Sequence, residues 1–196
     1  TNITRIDSDF NIYAQDCGPG MCLIDKWMRL NSEKKIDTEG IIASKGNIKN
    51  EIVRDYIEKI SKLLDNYRSS LDINDFNLSL VKNLSLEDGA ATLTELTAVN
   101  ILEFAEFYVA IEKTILILCG GGRKNQFLIE RMKKYGDQYF KGRLKMIDEF
   151  GINGDFIESQ AFAYLAIRSF LKLPISFPLT TGCKEPCTGG VLVKNY

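Results

Sequence analysis

A run of apolar residues followed by three glycines is the feature that most constrains how this chain can fold. Residues 114–119 read Thr-Ile-Leu-Ile-Leu-Cys, and glycines follow at 120–122. An unbroken run of β-branched and apolar side chains is typical of a parallel strand that is buried on both faces. A helical pattern begins at Asn125, and residues 144–147 predict a second strand. The order of strand, glycine loop, helix and strand predicts a βαβ unit, and therefore an α/β fold.

The rest of the chain predicts mainly helices. Two short β-like runs, residues 1–6 and 11–15, flank a polar turn and predict a hairpin. The stretch 67–84 is irregular and predicts either a strand or a turn-rich connection. Apolar residues at helical spacing predict four more helices, at 21–30, at 47–65 with Asn47 as the N-cap, at 85–109 with a Ser85-x-x-Asp88 capping pattern, and at 155–171. The chain shows no internal repeat and no low-complexity linker, so one compact unit is expected.

Composition excludes several classes of protein. Of 196 residues, 25 are basic and 26 are acidic, and this near-neutral balance argues against a surface that binds nucleic acid. No apolar run approaches the roughly 20 residues that cross a bilayer, so no membrane partner is expected. The N-terminus lacks the pattern of a secretory signal, which makes a cytoplasmic location the expectation. It also lacks an initiator Met, which suggests that the chain begins inside a longer protein.

The chain has no histidine, and this limits the chemistry that it can perform. Ser-His-Asp catalysis, Cys-His catalysis and His-ligated metal sites are excluded, so proton transfer must use a carboxylate, Lys or Tyr, or another part of the protein. Cys183 and Cys187 form a C-x3-C pair that could bind a metal, but no second pair with zinc-like spacing exists. Free thiols are therefore expected, and the sequence assigns no metal ligands.

The three glycines at 120–122 form the first candidate site. In open α/β sheets, ligands bind at the carboxyl ends of parallel strands, and glycines let the backbone approach a ligand closely. The loop matches neither the G-x-x-x-x-G-K-[ST] phosphate loop nor the G-x-G-x-x-G dinucleotide motif. The residues alone are equally consistent with a nucleotide site and with a tight turn that binds nothing.

Three further candidates have both a functional and a structural interpretation. The loop 16–20, Asp-Cys-Gly-Pro-Gly, leads from a strand into a helix, where backbone N–H groups could face an anion or simply form a turn. Asp88 and Thr92 lie one helical turn apart and could contact phosphate or a magnesium shell, or Asp88 could only cap the helix. Glu158 begins the last helix and could accept hydrogen bonds from a sugar, or only favour the helix dipole.

Five segments of the chain together resemble the anhydro-N-acetylmuramic acid kinase family. Residues 16–27, Asp-Cys-Gly-Pro-Gly-Met-Cys-Leu-Ile-Asp-Lys-Trp, are similar to the family's D-T-G-P-G-N-x-L-[IM]-D-x-W segment. The other four follow in the family's order. Residues 88–98 resemble D-x-x-A-T-L-T-x-L-T-A, residues 119–125 resemble C-G-G-G-x-x-N, residues 154–166 resemble G-D-x-x-E-A-Q-A-F-A-W-L-A, and residues 178–182 resemble P-x-T-T-G.

The resemblance implies a fold and a reaction. The fold would be a ribonuclease-H-like lobe of the sugar kinase, Hsp70 and actin superfamily, with a mixed sheet flanked by helices. Residues 1–196 would form the single C-terminal lobe of a two-lobe kinase, with residues 1–16 as a residual hairpin from the preceding lobe. The family uses ATP and Mg²⁺ to phosphorylate 1,6-anhydro-N-acetylmuramic acid while water opens the anhydro ring. The product, N-acetylmuramic acid 6-phosphate, belongs to cell-wall recycling.

The resemblance also implies roles for particular residues. The ATP-binding set would be Gly120, Gly121, Gly122 and Asn125, together with Asp88 and Thr92. The phosphate or sugar would be bound by Asp16, Gly18, Gly20 and Glu158. The general base and the phosphate loop of the family are expected upstream of residue 1, in a missing N-terminal lobe. This chain is therefore expected to be inactive on its own, and a homodimer is a further expectation.

Departures from the family pattern leave other interpretations open. Met21 stands where the family has Asn, Ile73 stands where a basic side chain is expected, and Ser159 replaces Ala. Because Met21 and Ile73 could each remove a polar contact, one alternative is a degenerate or split remnant that binds nucleotide or a partner without turnover. A third interpretation is a different sugar kinase of the same superfamily.

Overall fold

A computed structural model describes residues 1–64, 70–108, 114–140 and 143–193, and the side chains of these residues except 106–108 and 137–140. Four short strands and six α-helices occur in this part of the chain. In chain order they are β1 (Asn2–Ile6), β2 (Ile12–Asp16), α1 (Cys22–Asn31), α2 (Asn50–Leu63), α3 (Leu86–Tyr108), β3 (Leu116–Leu118), α4 (Gln126–Phe140), β4 (Leu144–Met146), α5 (Ile157–Phe170) and α6 (Pro178–Thr181).

The strands form two separate small sheets. β1 and β2 pair antiparallel, from Asn2 opposite Asp16 to Ile6 opposite Ile12, which confirms the predicted hairpin. β3 and β4 pair in parallel with α4 between them in the chain, which confirms the predicted βαβ unit and the α/β class. The expected single mixed sheet is not seen in the described residues, because each sheet contains only two strands.

The strand β3 is shorter and more exposed than the sequence predicts. Residues 114–119 were expected to form a fully buried strand, but only Leu116–Leu118 pair with β4. Ile117 is 42% exposed and Ile115 is 52% exposed. A parallel strand is buried only where other elements cover both of its faces. In the described residues β4 is the only strand that pairs with β3, so part of its apolar surface stays open.

The helix α3 is the centre of the core. Its residues Ala90 to Ala98 are all buried, so this stretch of the helix is covered on every side. A first cluster packs α1 and α2 against α3, with Leu23, Ile24, Trp27, Met28, Tyr56, Ile60, Leu93 and Leu96 as its main members. A second cluster packs α4 against α3 through Ala98, Leu102, Ala105, Leu128 and Met132. Met21 packs against both clusters.

A buried ion pair also joins α3 to α4. Glu95 is 1% exposed and accepts hydrogen bonds from the Arg131 guanidinium and from the Tyr135 hydroxyl. The guanidinium compensates the buried carboxylate, and the contact with Glu95 raises the pKa of Arg131. Removal of either charged partner would leave the other buried without compensation.

The helix α2 begins later than predicted. The first helical residue is Asn50, whereas Asn47 was expected to be the N-cap. The backbone N–H of Asn47 donates to Asp88 (2.8 Å), and the N–H of Lys49 donates to Thr92 (3.1 Å). Both contacts hold residues 47–49 against α3. Residue 65, the expected end, lies outside the described residues.

Other element boundaries follow the predictions more closely. The Ser85 hydroxyl accepts from the N–H of Asp88 (3.1 Å), which confirms Ser85 as the cap of α3. Of the irregular stretch, residues 70–84 form a turn-rich connection that contains one 3₁₀ turn, Ile73–Asp75, while 67–69 lie outside the described residues. None of the helices in the described ranges is both long and apolar enough to span a membrane.

Candidate functional site

The two glycine-containing loops meet in the structure. Met21 directly precedes α1, and Gly122 lies in the turn that precedes α4. A Cβ atom placed on Gly122 would lie 3.3 Å from Met21 Cγ and 3.4 Å from its Sδ, so the two residues are in contact. The loop 16–21 and the glycine loop 119–125 therefore lie next to each other.

Two buried polar residues of α3 hold the loop 16–21 in place. The Thr97 hydroxyl donates to the carbonyl of Gly20 (2.8 Å), and the Asn100 amide donates to the carbonyl of Cys17 (3.1 Å). Their spacing of three residues puts both on the same side of the helix. Thr97 and Asn100 are positioning residues that the sequence analysis missed. Their signal is weak, because α3 carries several other polar residues and the spacing of Thr97 and Asn100 does not distinguish these two from the rest.

The same contact explains why residue 18 is glycine. A Cβ atom on Gly18 would overlap with the Asn100 side chain that binds the loop. Any larger residue would have to displace Asn100 or the loop itself. Gly18 is thus required by the fold, whether or not it also contacts a ligand.

The glycine loop presents open backbone. Gly120 adopts φ 78°, a conformation that favours glycine. Cβ atoms placed on Gly120 or Gly121 would meet nothing within 4 Å, and both residues are exposed. The helix α4 begins immediately after the loop, so its N-terminal N–H groups and dipole favour an anion there. This geometry permits the close approach of a ligand that the sequence predicts.

Arg123 fastens the glycine loop to two other segments. Its side chain is only 7% exposed and contacts Asp148 through Nε (2.7 Å) and Asp155 through a terminal nitrogen (2.9 Å). Lys124 Nζ lies 2.6 Å from the other oxygen of Asp155. The Arg123 hydrogen bond lowers the pKa of Asp148 to about 2, and hydrogen bonds from Lys124 and Arg123 lower the pKa of Asp155. The segment after β4 and the start of α5 are thus tied to the glycine loop.

The ion pairs of Arg123 with Asp148 and Asp155, which we call the Arg123 clamp, also constrain the segment that leads to Glu158, the predicted sugar-binding carboxylate. A Cβ atom on Gly154 would overlap with the Arg123 guanidinium, which explains the glycine before Asp155. Glu158 follows Asp155 by three residues and is exposed on the first turn of α5. Its position is fixed indirectly, through the ion pair of Asp155 with Arg123.

A cavity of about 300 Å³ borders the loop 16–21. Asp16 and Gly18 line it, as does Ile73, one of the positions that departs from the family pattern. The N–H of Leu71 donates to the carbonyl of Asp16 (3.1 Å), which holds this segment against the end of β2. The remaining lining residues are Thr1, Pro19, Cys22, Leu71, Asp72 and Phe76.

Asp88 and Thr92 have their hydrogen-bond partners in the segment before α2. Asp88 accepts from the N–H of Asn47 and pairs with Lys49 Nζ (2.8 Å), and these contacts lower its pKa. Thr92 is fully buried and accepts from the N–H of Lys49. Neither residue lines the cavity. These contacts account for both residues in the fold, and their role in ATP binding stays a prediction.

Asn125 is buried and caps α4. It is 3% exposed, and its Oδ1 accepts from the N–H of Leu128 (2.9 Å). A Cβ atom on Gly40 would overlap with the Asn125 amide, so the turn 38–40 covers this side chain. Its Nδ2 has no hydrogen-bond partner in the described part of the chain. Contact with a nucleotide stays a prediction for Asn125, and it would require the covering turn to move.

The carboxylates near the loops offer limited donors for a metal. In the described ranges, no group of three or more Cys, Asp or Glu residues comes together as a metal site. Asp72 accepts from Asn74, whereas the one hydrogen bond that the Asp16 carboxylate accepts from a described residue is a 3.3 Å contact with Asn2. Mg²⁺ bound to a nucleotide commonly needs one or two protein carboxylates, because phosphates and waters supply the other ligands. Asp16 fits that need.

Comparison with known proteins places this chain in a family. The family model described as "Anhydro-N-acetylmuramic acid kinase" matches residues 1–195. A protein of that name from Pelagibacter ubique (strain HTCC1062) is 44% identical over 200 aligned positions, which cover 100% of this chain and 53% of the relative. The protein of that name from Agrobacterium fabrum (strain C58 / ATCC 33970) is 39% identical over 194 aligned positions, which cover 99% of this chain and 51% of the relative.

A relative from Zymomonas mobilis subsp. mobilis (strain ATCC 31821 / ZM4 / CP4) carries the same name and is 40% identical over 192 positions, 96% of this chain and 50% of the relative. The chain thus spans about half the length of the curated relatives that it matches. The family model covers nearly every residue of the chain, including both glycine-containing loops and the start of α5. This chain belongs to the anhydro-N-acetylmuramic acid kinase family.

Proposed function

We propose that this chain supplies the adenosine side and part of the sugar site of an ATP-dependent anhydro-N-acetylmuramic acid kinase. The reaction is phosphorylation of 1,6-anhydro-N-acetylmuramic acid with hydrolytic ring opening, which gives N-acetylmuramic acid 6-phosphate for cell-wall recycling. One observation carries the proposal. The loop 16–21, which borders the cavity, touches the open glycine loop through Met21 and Gly122, so a nucleotide and a sugar could be bound side by side.

The glycine loop supports the nucleotide half of the proposal. Gly120 and Gly121 leave room for close approach, and the N-terminus of α4 favours negative charge. Arg123 is fully engaged with two aspartates, so backbone N–H groups rather than this guanidinium would meet the ligand. When Mg²⁺ is bound it neutralises phosphate charge, and Asp16 is the carboxylate that would face it.

The cavity supports the sugar half. Its volume of about 300 Å³ is at the lower end of the range for small-molecule sites. Asp16 and Gly18 line it, whereas Glu158 does not and follows by three residues Asp155, which pairs with Arg123 of the glycine loop. A carboxylate such as Glu158 would accept hydrogen bonds from sugar hydroxyls.

The chain is not proposed to complete the reaction alone. Phosphoryl transfer depends on positioning and charge stabilisation of the γ-phosphate, and the attacking water needs a general base. We assign the γ-phosphate contacts and the general base to the complementary half. By this we mean the part of the Pelagibacter ubique relative that does not align with this chain. A reaction that consumes ATP also favours the cytoplasm, and a homodimer of the assembled protein stays a prediction.

The test is an assay of the assembled protein. The chain is mixed with the recombinant complementary half, Mg-ATP and 1,6-anhydro-N-acetylmuramic acid, and products are identified by mass spectrometry. We expect ADP and N-acetylmuramic acid 6-phosphate from the mixture, and neither product from the chain alone. Product from the chain alone would contradict the division of roles, and phosphorylation of a different amino sugar would contradict the substrate.

Two observations favour a second candidate, a remnant that binds nucleotide or a partner without turnover. Met21 replaces a polar residue at the contact with the glycine loop, and Ile73 replaces a basic residue at the rim of the cavity. Both departures thus fall on the proposed site. Nucleotide binding by the mixture without any sugar phosphate would favour this candidate, and restored turnover in Ile73→Lys would identify the cause.

A further inference from the structure

The helix α5 is apolar, yet none of its residues is buried. An exposed apolar stripe runs along it, consisting of Phe162, Ala163, Ala166, Ile167 and Phe170, which we call the α5 stripe. Phe162 is 69% exposed, Ile167 is 59% exposed and Phe170 is 67% exposed. Residues at this spacing fall on one side of a helix. A contiguous exposed apolar patch on a folded protein marks an interaction surface.

Two side chains attach α5 to the segment that follows it. Arg168 donates to the carbonyl of Pro174 (2.7 Å), and the Ser169 hydroxyl donates to the carbonyl of Gly189. The start of the helix is held by the ion pair of Asp155 with Arg123. The helix is therefore anchored at its start and through Arg168 and Ser169, while the residues of the α5 stripe stay exposed.

The stripe is not the only apolar surface that lacks a cover. Ile115 and Ile117 of the strand region β3 are 52% and 42% exposed, and the sheet there contains only two strands among the described residues. Small sheets of two strands need further packing to be stable. Two elements of the α/β unit thus lack the neighbours that such elements normally have.

We propose that the α5 stripe is the docking surface for the complementary half of the family's length. This chain accounts for 50–53% of the three relatives described above, so in each relative a comparable length of polypeptide lies outside the aligned part. The inference rests on the part of the proposed function that assigns the remaining elements to another segment.

The stripe contains no charged residue, which favours a stable, dry contact over a transient polar one. Glu158 lies one turn before it, on the same helix. Docking on the stripe would therefore bring the complementary half beside the predicted sugar carboxylate. Assembly and completion of the sugar site would then occur together.

The experiment measures binding of the chain to the recombinant complementary half by calorimetry, with sedimentation velocity for stoichiometry. We expect a 1:1 complex, and we expect the double variant Phe162→Asp, Ile167→Asp to weaken it at least tenfold. The matched control is Leu30→Asp, since Leu30 is 68% exposed on α1, and its affinity should equal that of the parent. Circular dichroism checks that the parent, the double variant and the Leu30→Asp control have the same helix content.

Three results would overturn the inference. They are the absence of any complex, equal affinity of the double variant and the parent, and a dimer of the chain alone that the double variant abolishes. The last result would assign the stripe to a second copy of the chain. Mg-ATP binding by the same samples tests the proposed function separately, because docking can persist when nucleotide binding fails.

Discussion

Met21 packs against Gly122, and this contact joins the loop that borders the cavity to the glycine loop that precedes α4. Met21 also packs against both apolar clusters of the core. A polar residue at this position would lose that packing, so the departure from the family pattern has a structural function here. The arrangement of the two loops is thus set by the core as well as by their own glycines.

The glycine loop provides the first prediction. We expect Gly121→Val to weaken Mg-ATP binding about tenfold or more, because its side chain would occupy the space that a nucleotide needs. A Cβ atom there meets nothing in the protein, so the free energy of unfolding should stay within about 0.5 kcal/mol of the parent. Calorimetry and chemical denaturation measure the two effects.

Gly121→Ala is the graded control for that variant. Its smaller side chain should give an intermediate affinity if steric exclusion is the cause. Unchanged affinity in both variants would remove Gly121 from the nucleotide site.

The loop 16–21 provides the second prediction. We expect Gly18→Ala to destabilise the fold by about 1–3 kcal/mol, because the new methyl group overlaps with the Asn100 side chain. Asn100→Ala should also destabilise, since it removes the hydrogen bond to the Cys17 carbonyl. Urea denaturation of both single variants and the double variant gives the coupling between them.

The double variant should be more stable than the sum of the single effects predicts. Strict additivity would mean that Asn100 and Gly18 do not constrain each other, which would contradict the proposed positioning of the loop by α3.

The Arg123 clamp provides the third prediction, on pH dependence. Asp148 has a pKa of about 2 in the folded chain, below its ordinary value of 3.8, because Arg123 binds it. A carboxylate with a lowered folded pKa stabilises the fold fully above its unfolded pKa, and this stabilisation is lost as pH falls towards the folded pKa. We therefore expect the Asp148 contribution to disappear between about pH 4 and pH 2.

Arg123→Met should remove that contribution. NMR titration of the carboxyl carbon should then find the pKa of Asp148 higher than in the parent, although the hydrogen bond from the N–H of Gly154 still lowers it. Lys62→Met is the matched control, since Lys62 pairs with Glu58 on the exposed side of α2 and should leave Asp148 unchanged. An equal pKa of Asp148 in Arg123→Met and the parent would contradict the clamp.

Much of the secondary structure could be predicted from the sequence, because it depends on local periodicity and capping. The hairpin, α1, the Ser85 cap of α3 and the order of β3, α4 and β4 all follow from residues close together in the chain. The start of α2 could not be predicted, because Asp88 and Thr92 hold residues 47–49 from a distant part of the sequence.

The site was predictable only in part, for a similar reason. The glycines and Asp16 carry a local signal, and the structure brings the two loops that contain them together. Thr97 and Asn100 act through carbonyl groups of a loop far away in the chain, so their role appears only in three dimensions. The open face of β3 was missed because strand composition predicts burial but does not supply the neighbour that buries it.

Glu158 provides the fourth prediction. In the chain assembled with the complementary half, we expect Glu158→Gln to raise KM for the sugar or lower kcat, with little change in the affinity for Mg-ATP. The residue is exposed, so stability should not change. Steady-state kinetics with each substrate varied separately distinguishes the two effects.

Glu51→Gln is the matched control, because Glu51 is an exposed glutamate in the first turn of α2. Its kinetics should equal those of the parent. Equal sugar kinetics for Glu158→Gln and the parent would remove Glu158 from the sugar site.

The most direct test of the central claim is calorimetric titration of the 196-residue chain with Mg-ATP and, in parallel, with Mg-ADP. If the chain supplies the adenosine side while the complementary half supplies the γ-phosphate contacts, the two nucleotides bind weakly and with similar affinity. Absence of binding by either nucleotide would contradict the claim that this chain carries the adenosine site.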